Sequence, residues 1–221
     1  MMRFKDRTEA GRFLAERLSA YANRPDTLVL GLPRGGVPVA YEVATALNAP
    51  LDVFVVRKLG VPGHEELAMG AIATGGARTL NRDVIEYLRI PDELIDEVTE
   101  REEQELERRE RLYRDNRPAR SPRDRVTILV DDGLATGSSM RAAALAVRQQ
   151  QPASVVVAVP VAASQTCDDL RGEVDEVVCG FTPEPFYAVG LWYEDFSQTT
   201  DEEVRELLAR AENELAGAAR K

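Results

Sequence analysis

The chain has 221 residues, 44% apolar and 30% charged, enough for one α/β domain with a substantial core. Its formal charge of −10 disfavours a nucleic-acid backbone or an anionic membrane as partner, and any anionic substrate must find a locally positive pocket. The one histidine, His64, excludes an all-histidine metal site, and Cys167 and Cys179 fall outside any metal-ligand spacing. Those cysteines are expected to be reduced, structural thiols. The first residues lack the apolar core of a signal peptide and no run reaches membrane-spanning length, so a cytoplasmic location is expected. No GxSxG elbow or Walker A sequence is present.

In chain order, residues 6–21 predict an amphipathic helix. Asp6 is placed to cap it with Glu9 three residues on, and Ala10, Phe13, Leu14, Leu18 and Tyr21 form its apolar stripe. The apolar run 27–32 predicts a buried strand, followed by the turn Pro33-Arg34-Gly35-Gly36 and a helix over 37–47. A second buried strand is expected at 51–56. Residues 83–117 are rich in Glu and Arg and predict a helical insertion from Pro91 onward. Its Glu97–Arg101, Glu105–Arg109, Glu107–Arg111 and Glu110–Arg114 pairs stand in the favourable i,i+4 order. The thin stripe of Ile95, Val98, Leu106, Leu112 and Tyr113 needs cover, and a second subunit is the expected source, making a homodimer.

Further strands are predicted at 126–130, 154–161 and 176–181, with helices over 139–150 and around 164–171 between them. A last helix is announced by the capping box of Thr200 and Glu203. Strands alternating with helices indicate a doubly wound parallel sheet, here as a single domain over 1–221, and such sheets bind ligands beyond the carboxyl ends of their strands.

Two unusual turns fall on that edge. After the strand 126–130 come Asp131 and Asp132, and then Ala135, Thr136, Gly137, Ser138 and Ser139 at the start of a helix. Backbone N–H groups at a helix N-terminus, with three hydroxyls and a glycine for close approach, make an anion cup suited to a phosphomonoester. The adjacent carboxylates cannot hold phosphate and suit hydroxyl donors or a metal ion. Ribose 5-phosphate, a phosphate beside a vicinal diol, has the matching shape.

The stretch TILVDDGLATGSS, residues 127–139, resembles the signature of type I phosphoribosyltransferases, with Gly133 where that family usually has an apolar residue. Gly133 is expected to loosen the turn. The resemblance implies that Asp131 and Asp132 hold the ribose hydroxyls of phosphoribosyl pyrophosphate, with Mg²⁺ held indirectly through those hydroxyls or water. It implies that residues 135–139 hold the 5′-phosphate. Arg34, Gly35 and Gly36 are similar to the family's pyrophosphate loop, a turn whose N–H groups and guanidinium can grip a diphosphate. Arg57 and Lys58 match the opening of the mobile catalytic loop of orotate and adenine phosphoribosyltransferases. Gly60, Pro62 and Gly63 resemble the adenine type, although Val61 replaces the family's second lysine. His64 in the same loop is the residue type suited to proton transfer near neutrality.

A hood over 182–200 carries Phe186, Tyr187 and Trp192, and the resemblance implies that such aromatics cover the nucleobase. The expected activity is transfer of ribose 5-phosphate to a nucleobase, with a lean toward purine, and release of pyrophosphate. The competing expectation is a non-catalytic regulator that binds phosphoribosyl pyrophosphate or a nucleotide as effector.

Overall fold

The structure, a computed structural model, describes residues 3–218. Five parallel strands form the central sheet: β1 (Thr27–Gly31), β2 (Leu51–Val53), β6 (Val126–Val130), β7 (Ser154–Val161) and β8 (Glu176–Phe181), in the order β2-β1-β6-β7-β8. Alternate residues of each strand enter opposite layers. Val29, Ile128, Val130 and Val156 pack with α1 (Arg7–Arg17), α2 (Gly36–Leu47) and α7 (Asp201–Ala218). Leu28, Leu30, Leu129, Val155 and Val157 pack with α5 (Ser138–Gln149) and α6 (Ser164–Leu170). Helices on both faces explain why the strands read as continuous apolar runs. The connection from β1 leads outward to β2, whereas β6 leads the other way to β7. The chain therefore parts at the carboxyl ends of β1 and β6, the topological switch point where such sheets hold ligands.

The cap of α1 differs slightly from expectation. Asp6 accepts from Glu9 N at 2.8 Å, but the Glu9 carboxylate turns back to Lys5 N rather than to Asp6 N. Thr200 Oγ1 accepts from Glu203 N at 3.1 Å and starts α7 where the capping box placed it.

Four expectations are corrected. The stretch taken as a mobile loop is an antiparallel sheet of β3 (Val56–Val61), β4 (His64–Ala73) and β5 (Ala77–Leu80). Register shifts beside Gly60 break the two-residue alternation that would have announced it. The segment 83–117 holds two helices, α3 (Arg82–Leu88) and α4 (Asp92–Arg114).

The α4 stripe does not wait for another subunit. Ile95, Val98, Leu106 and Tyr113 are buried in this chain's own core, where α4 packs on β3 and α7. The expectation of a homodimer thus loses the surface on which it rested. Of the four anticipated charge pairs, Glu105–Arg109 and Glu110–Arg114 form, at 2.7 and 2.9 Å. Arg101 instead turns to Glu102.

Cys167 and Cys179 are not free thiols but a disulfide between α6 and β8. The two elements follow one another in the chain and lie side by side, which brings their Cα atoms to 6.6 Å. Among the described residues no helix is long and apolar enough to cross a membrane.

Candidate active site

β1 and β6 deliver their loops side by side. Leu32 N donates to Val130 O at 2.9 Å, continuing the β1–β6 pairing into the turn Pro33–Gly36. That turn contains a cis peptide between Pro33 and Arg34. It lies directly on the acid pair: a Cβ on Gly35 would sit 2.1 Å from Asp132 Oδ2, and one on Gly36 would sit 2.7 Å from Val130 O. At Gly36 the obstacle is backbone, and at Gly35 it is the Asp132 carboxylate, so a side chain at either position would displace one strand end or the acid pair. The Arg34 guanidinium is half-exposed, with Nη1 3.9 Å from Asp201 Oδ1, free enough to turn toward an anion.

Asp131 Oδ1 accepts from Asp132 N at 2.9 Å. Arg7, at the start of α1, donates to Asp132 Oδ2 from Nε at 2.9 Å and brings Nη2 to the same oxygen at 2.9 Å. Burial raises the Asp131 pKa well above the usual carboxylate range, and the neighbouring Asp132 charge adds to it. Burial also raises Asp132, with the Arg7 guanidinium opposing the shift. The pair therefore keeps a proton at a pH where free aspartates, with pKa near 3.9, have lost theirs. Diol binding needs charged acceptors. The affinity that the diol adds, ribose 5-phosphate against its 2,3-dideoxy analogue, should accordingly shrink as pH falls through the raised pKa of the pair, a trend that calorimetry of both ligands would reveal. A diol contribution that stays flat down into the ordinary carboxylate range would contradict the assignment.

Beyond the pair, Gly137 has φ 72° and forms the N-cap of α5. Ala135, Thr136, Ser138 and Ser139 surround it, and Thr136 Oγ1 lies 3.2 Å from Ser138 Oγ. The cup is held from behind by Thr166 of α6, whose hydroxyl donates to Ala135 O at 2.5 Å. N–H groups and hydroxyls thus face solvent at the positive end of a twelve-residue helix.

The loop residues part company. Lys58 faces a cleft of about 320 Å³ between the antiparallel sheet and α5, lined also by Val56, Gly70, Leu80, Ser138 and Ser139. Its ammonium donates to Glu66 O at 3.1 Å. Arg57, one residue earlier and on the other face of β3, is turned to α4, where Nε donates to Glu102 Oε2 at 2.9 Å. His64 is exposed beside the β3–β4 turn, and no described hydrogen bond joins it to the loops of the sheet edge. Lys58 is thus brought to the cleft that Ser138 and Ser139 line, whereas Arg57 and His64 are not.

The hood also divides. Trp192 is only 4% exposed and packs edge-on against Phe181, with ring centroids 5.5 Å apart. It belongs to a small core with Phe4 and Tyr193 and is not an open stacking platform, which corrects its assignment to base binding. Phe186 is half-buried against that core, and Tyr187 is exposed. Gly133 does not loosen its turn. A Cβ there would come within 2.5 Å of Val189 Cγ1, so the glycine lets the hood press onto the acid pair.

Sequence reasoning missed Arg7, Tyr193 and Thr166, which hold the loops in place. Tyr193 donates its hydroxyl to Asp132 O at 2.6 Å, and burial raises its pKa so that the phenol remains a donor. One signal for Arg7 was present, a cation in the first turn of a helix, where the macrodipole disfavours it.

Residues 4–180 match the family model described as "Phosphoribosyl transferase domain". Two proteins of Mycobacterium tuberculosis, named "Putative phosphoribosyl transferase Rv0571c" in strain H37Rv and "Putative phosphoribosyl transferase MT0597" in strain CDC 1551, are each 46% identical over 218 residues. The alignment covers 99% of this chain and 49% of each of those proteins, so the chain spans about half the length of the curated relatives it matches. The crystal structure of TT1426 from Thermus thermophilus superposes with a TM-score of 0.83 at 44% identity, covering 95% of this chain and 99% of that one. A family model matched over most of the sequence, and a solved structure 44% identical over nearly its whole length, place the chain in the phosphoribosyltransferase family.

Proposed function

We propose that the site binds phosphoribosyl pyrophosphate and transfers its ribose 5-phosphate to a nucleobase, a purine in preference, releasing pyrophosphate. The observation that carries this reading is the approach of the Gly35 backbone to Asp132, which sets a diphosphate turn beside a diol acceptor. A ligand with phosphate in the 135–139 cup and hydroxyls on Asp131 and Asp132 would direct its C1′ substituent to Arg34, Gly35 and Gly36.

The adjacent carboxylates offer hard oxygen donors of the kind Mg²⁺ takes together with substrate oxygens. Among the described residues no group of three or more His, Cys, Asp or Glu could hold a metal ion by itself, so Asp131 and Asp132 would hold it through ribose hydroxyls or water. Bound there, Mg²⁺ would neutralise diphosphate charge.

The reaction breaks the C1′–O bond to pyrophosphate and forms a C1′–N bond to the base. The leaving oxygen keeps the bonding electron pair. Because ribose carbon carries much of the positive charge at the transition state, the protein has little nucleophilic work to do. Its contribution is to position the reactants and to receive the growing negative charge. Arg34 and the N–H of Gly35 would receive that charge, the Gly36 N–H being spent on Leu32 O at 3.0 Å, and Lys58 can swing to it from the cleft edge. Arg57 would first have to leave Glu102. His64 would need movement of the β3–β4 hairpin to reach a base proton, and closure of that hairpin would also exclude water. Phe186 and Tyr187 remain for the base face.

Lys58→Ala tests catalysis against mere effector binding. Turnover should fall far more than ground-state affinity, since the charge that Lys58 meets grows only in the transition state. Pyrophosphate release assayed over a panel of nucleobases, beside calorimetric affinity for phosphoribosyl pyrophosphate with Mg²⁺, separates the two. Tight binding with no release for any base would favour the regulator.

A further inference from the structure

We propose that Arg7 is a positioning residue of the diol site, fixing Asp132 for a ribose hydroxyl while fastening the hood over it. The inference rests on the assignment of Asp132 to the ribose. Both guanidinium contacts to that carboxylate, from Nε and Nη2, fall on Oδ2. The same oxygen is walled in by the glycine turn, since a Cβ on Gly35 would stand 2.1 Å from it and 3.3 Å from Arg7 Nε. No described hydrogen bond goes to Oδ1. Arg7 therefore occupies the closed oxygen and leaves the other with lone pairs for a hydroxyl donor.

The remaining arm of the fork reaches the hood. Nη1 donates to Ser197 O at 2.7 Å, and the guanidinium carbon lies 4.1 Å from the centroid of the Phe196 ring. The Arg7 side chain is 12% exposed, so these contacts are shielded from water. The hood is tied to the same aspartate a second time by Tyr193, whose hydroxyl donates to Asp132 O, and a third time by Val189 against Gly133. Behind it, Phe4 pairs with the hood through Phe4 N to Trp192 O and Glu194 N to Phe4 O, each at 2.8 Å. A lysine carries the same charge but presents one nitrogen, so it can serve Asp132 or Ser197 and not both.

The test measures how much the diol adds to affinity. Ribose 5-phosphate and its 2,3-dideoxy analogue are titrated calorimetrically into wild type, Arg7→Lys and Arg7→Gln. Quenching of the single tryptophan, Trp192, by acrylamide is followed without ligand. The wild type should prefer the diol, and in Arg7→Lys that preference should shrink about tenfold, with binding of the dideoxy analogue unchanged. Quenching of Trp192 should rise in both variants. If Arg7→Gln does not fold, Arg7→Lys alone decides the matter. A diol preference kept at wild-type size in Arg7→Lys overturns the inference and leaves the ribose assignment standing. Equal weakening for both sugars would reduce Arg7 to a general support and overturn it as well. A wild type that holds ribose 5-phosphate but shows no diol preference removes the ribose assignment and the inference with it.

Discussion

The double replacement Asp131→Asn with Asp132→Asn is expected to abolish measurable Mg²⁺-dependent binding of phosphoribosyl pyrophosphate. Each lost hydrogen bond to a charged carboxylate is worth about 1.5–3 kcal/mol. Together they would move affinity by roughly two to four orders of magnitude, less any coupling between neighbours. Stability should move the other way for Asp131→Asn alone. Asp131 has a folded-state pKa raised by burial first, so its contribution to stability is fully present below the unfolded pKa and is lost as pH rises through the folded one. Above the folded pKa the free fold carries a charge that burial disfavours and that asparagine removes, and the amide oxygen can still accept from Asp132 N. Asp132→Asn lacks that benefit because it weakens the partner of Arg7. Melting curves above the folded pKa and calorimetry together check both halves. Asp131→Asn melting below the wild type, or a folded double mutant with unchanged affinity, would refute the assignment. A group that binding needs and the empty fold would rather lose is the usual signature of a working site.

The acid pair was legible in the sequence because its chemistry is local: two charges at the end of a buried strand have no packing reason to be there. The hydroxyl-rich helix start was legible for the same reason, since Thr136, Gly137, Ser138 and Ser139 are neighbours in the chain. The order of strands and helices followed from apolar runs long enough to survive small errors at their ends. What stayed hidden depends on meetings between distant segments. Arg7 and Asp132 are 125 residues apart, and only the folded chain places the first turn of α1 against the end of β6. Trp192 carries the same aromatic signature whether it stacks on a ligand or fills a core, and burial beside Phe181 decides for the core. The helical arm misled for a related reason. A thin apolar stripe shows that cover exists but not who provides it, and α7, far along the chain, provides part of it. Gly60 interrupts the alternation of β3, so a sheet was read as a loop. The cysteine pair was judged from composition, whereas its state follows from the adjacency of α6 and β8.

Arg114→Met is expected to destabilise the chain by about 3–5 kcal/mol, because it takes the charged partner from a buried carboxylate. Arg114 and Asp52 are 4% and 5% exposed. Arg114 donates from Nε to Asp52 Oδ1 and from Nη2 to Val53 O, both at 2.8 Å. Asp52 also accepts from Val53 N at 2.7 Å and from Arg120 N at 2.8 Å, so the carboxylate organises the end of α4 and the crossing toward β6. At this chain length each kcal/mol shifts the melting midpoint by about 2–4 °C, so the variant should melt roughly 6–20 °C lower. Chemical unfolding of Arg114→Met, Asp52→Leu and the double variant gives the coupling. The double should be more stable than Arg114→Met alone, since removing both partners leaves no buried charge. The effect should reach the site through the backbone. β2 begins at Leu51 and runs by way of Phe54 into β3, which bears Lys58. If the proposed roles hold, Arg114→Met should lower turnover through Lys58 and leave the affinity for ribose 5-phosphate, assigned to the ends of β6 and α5, unchanged. A loss below about 1 kcal/mol would mean that water reaches Asp52 and that the pair is not the anchor of α4.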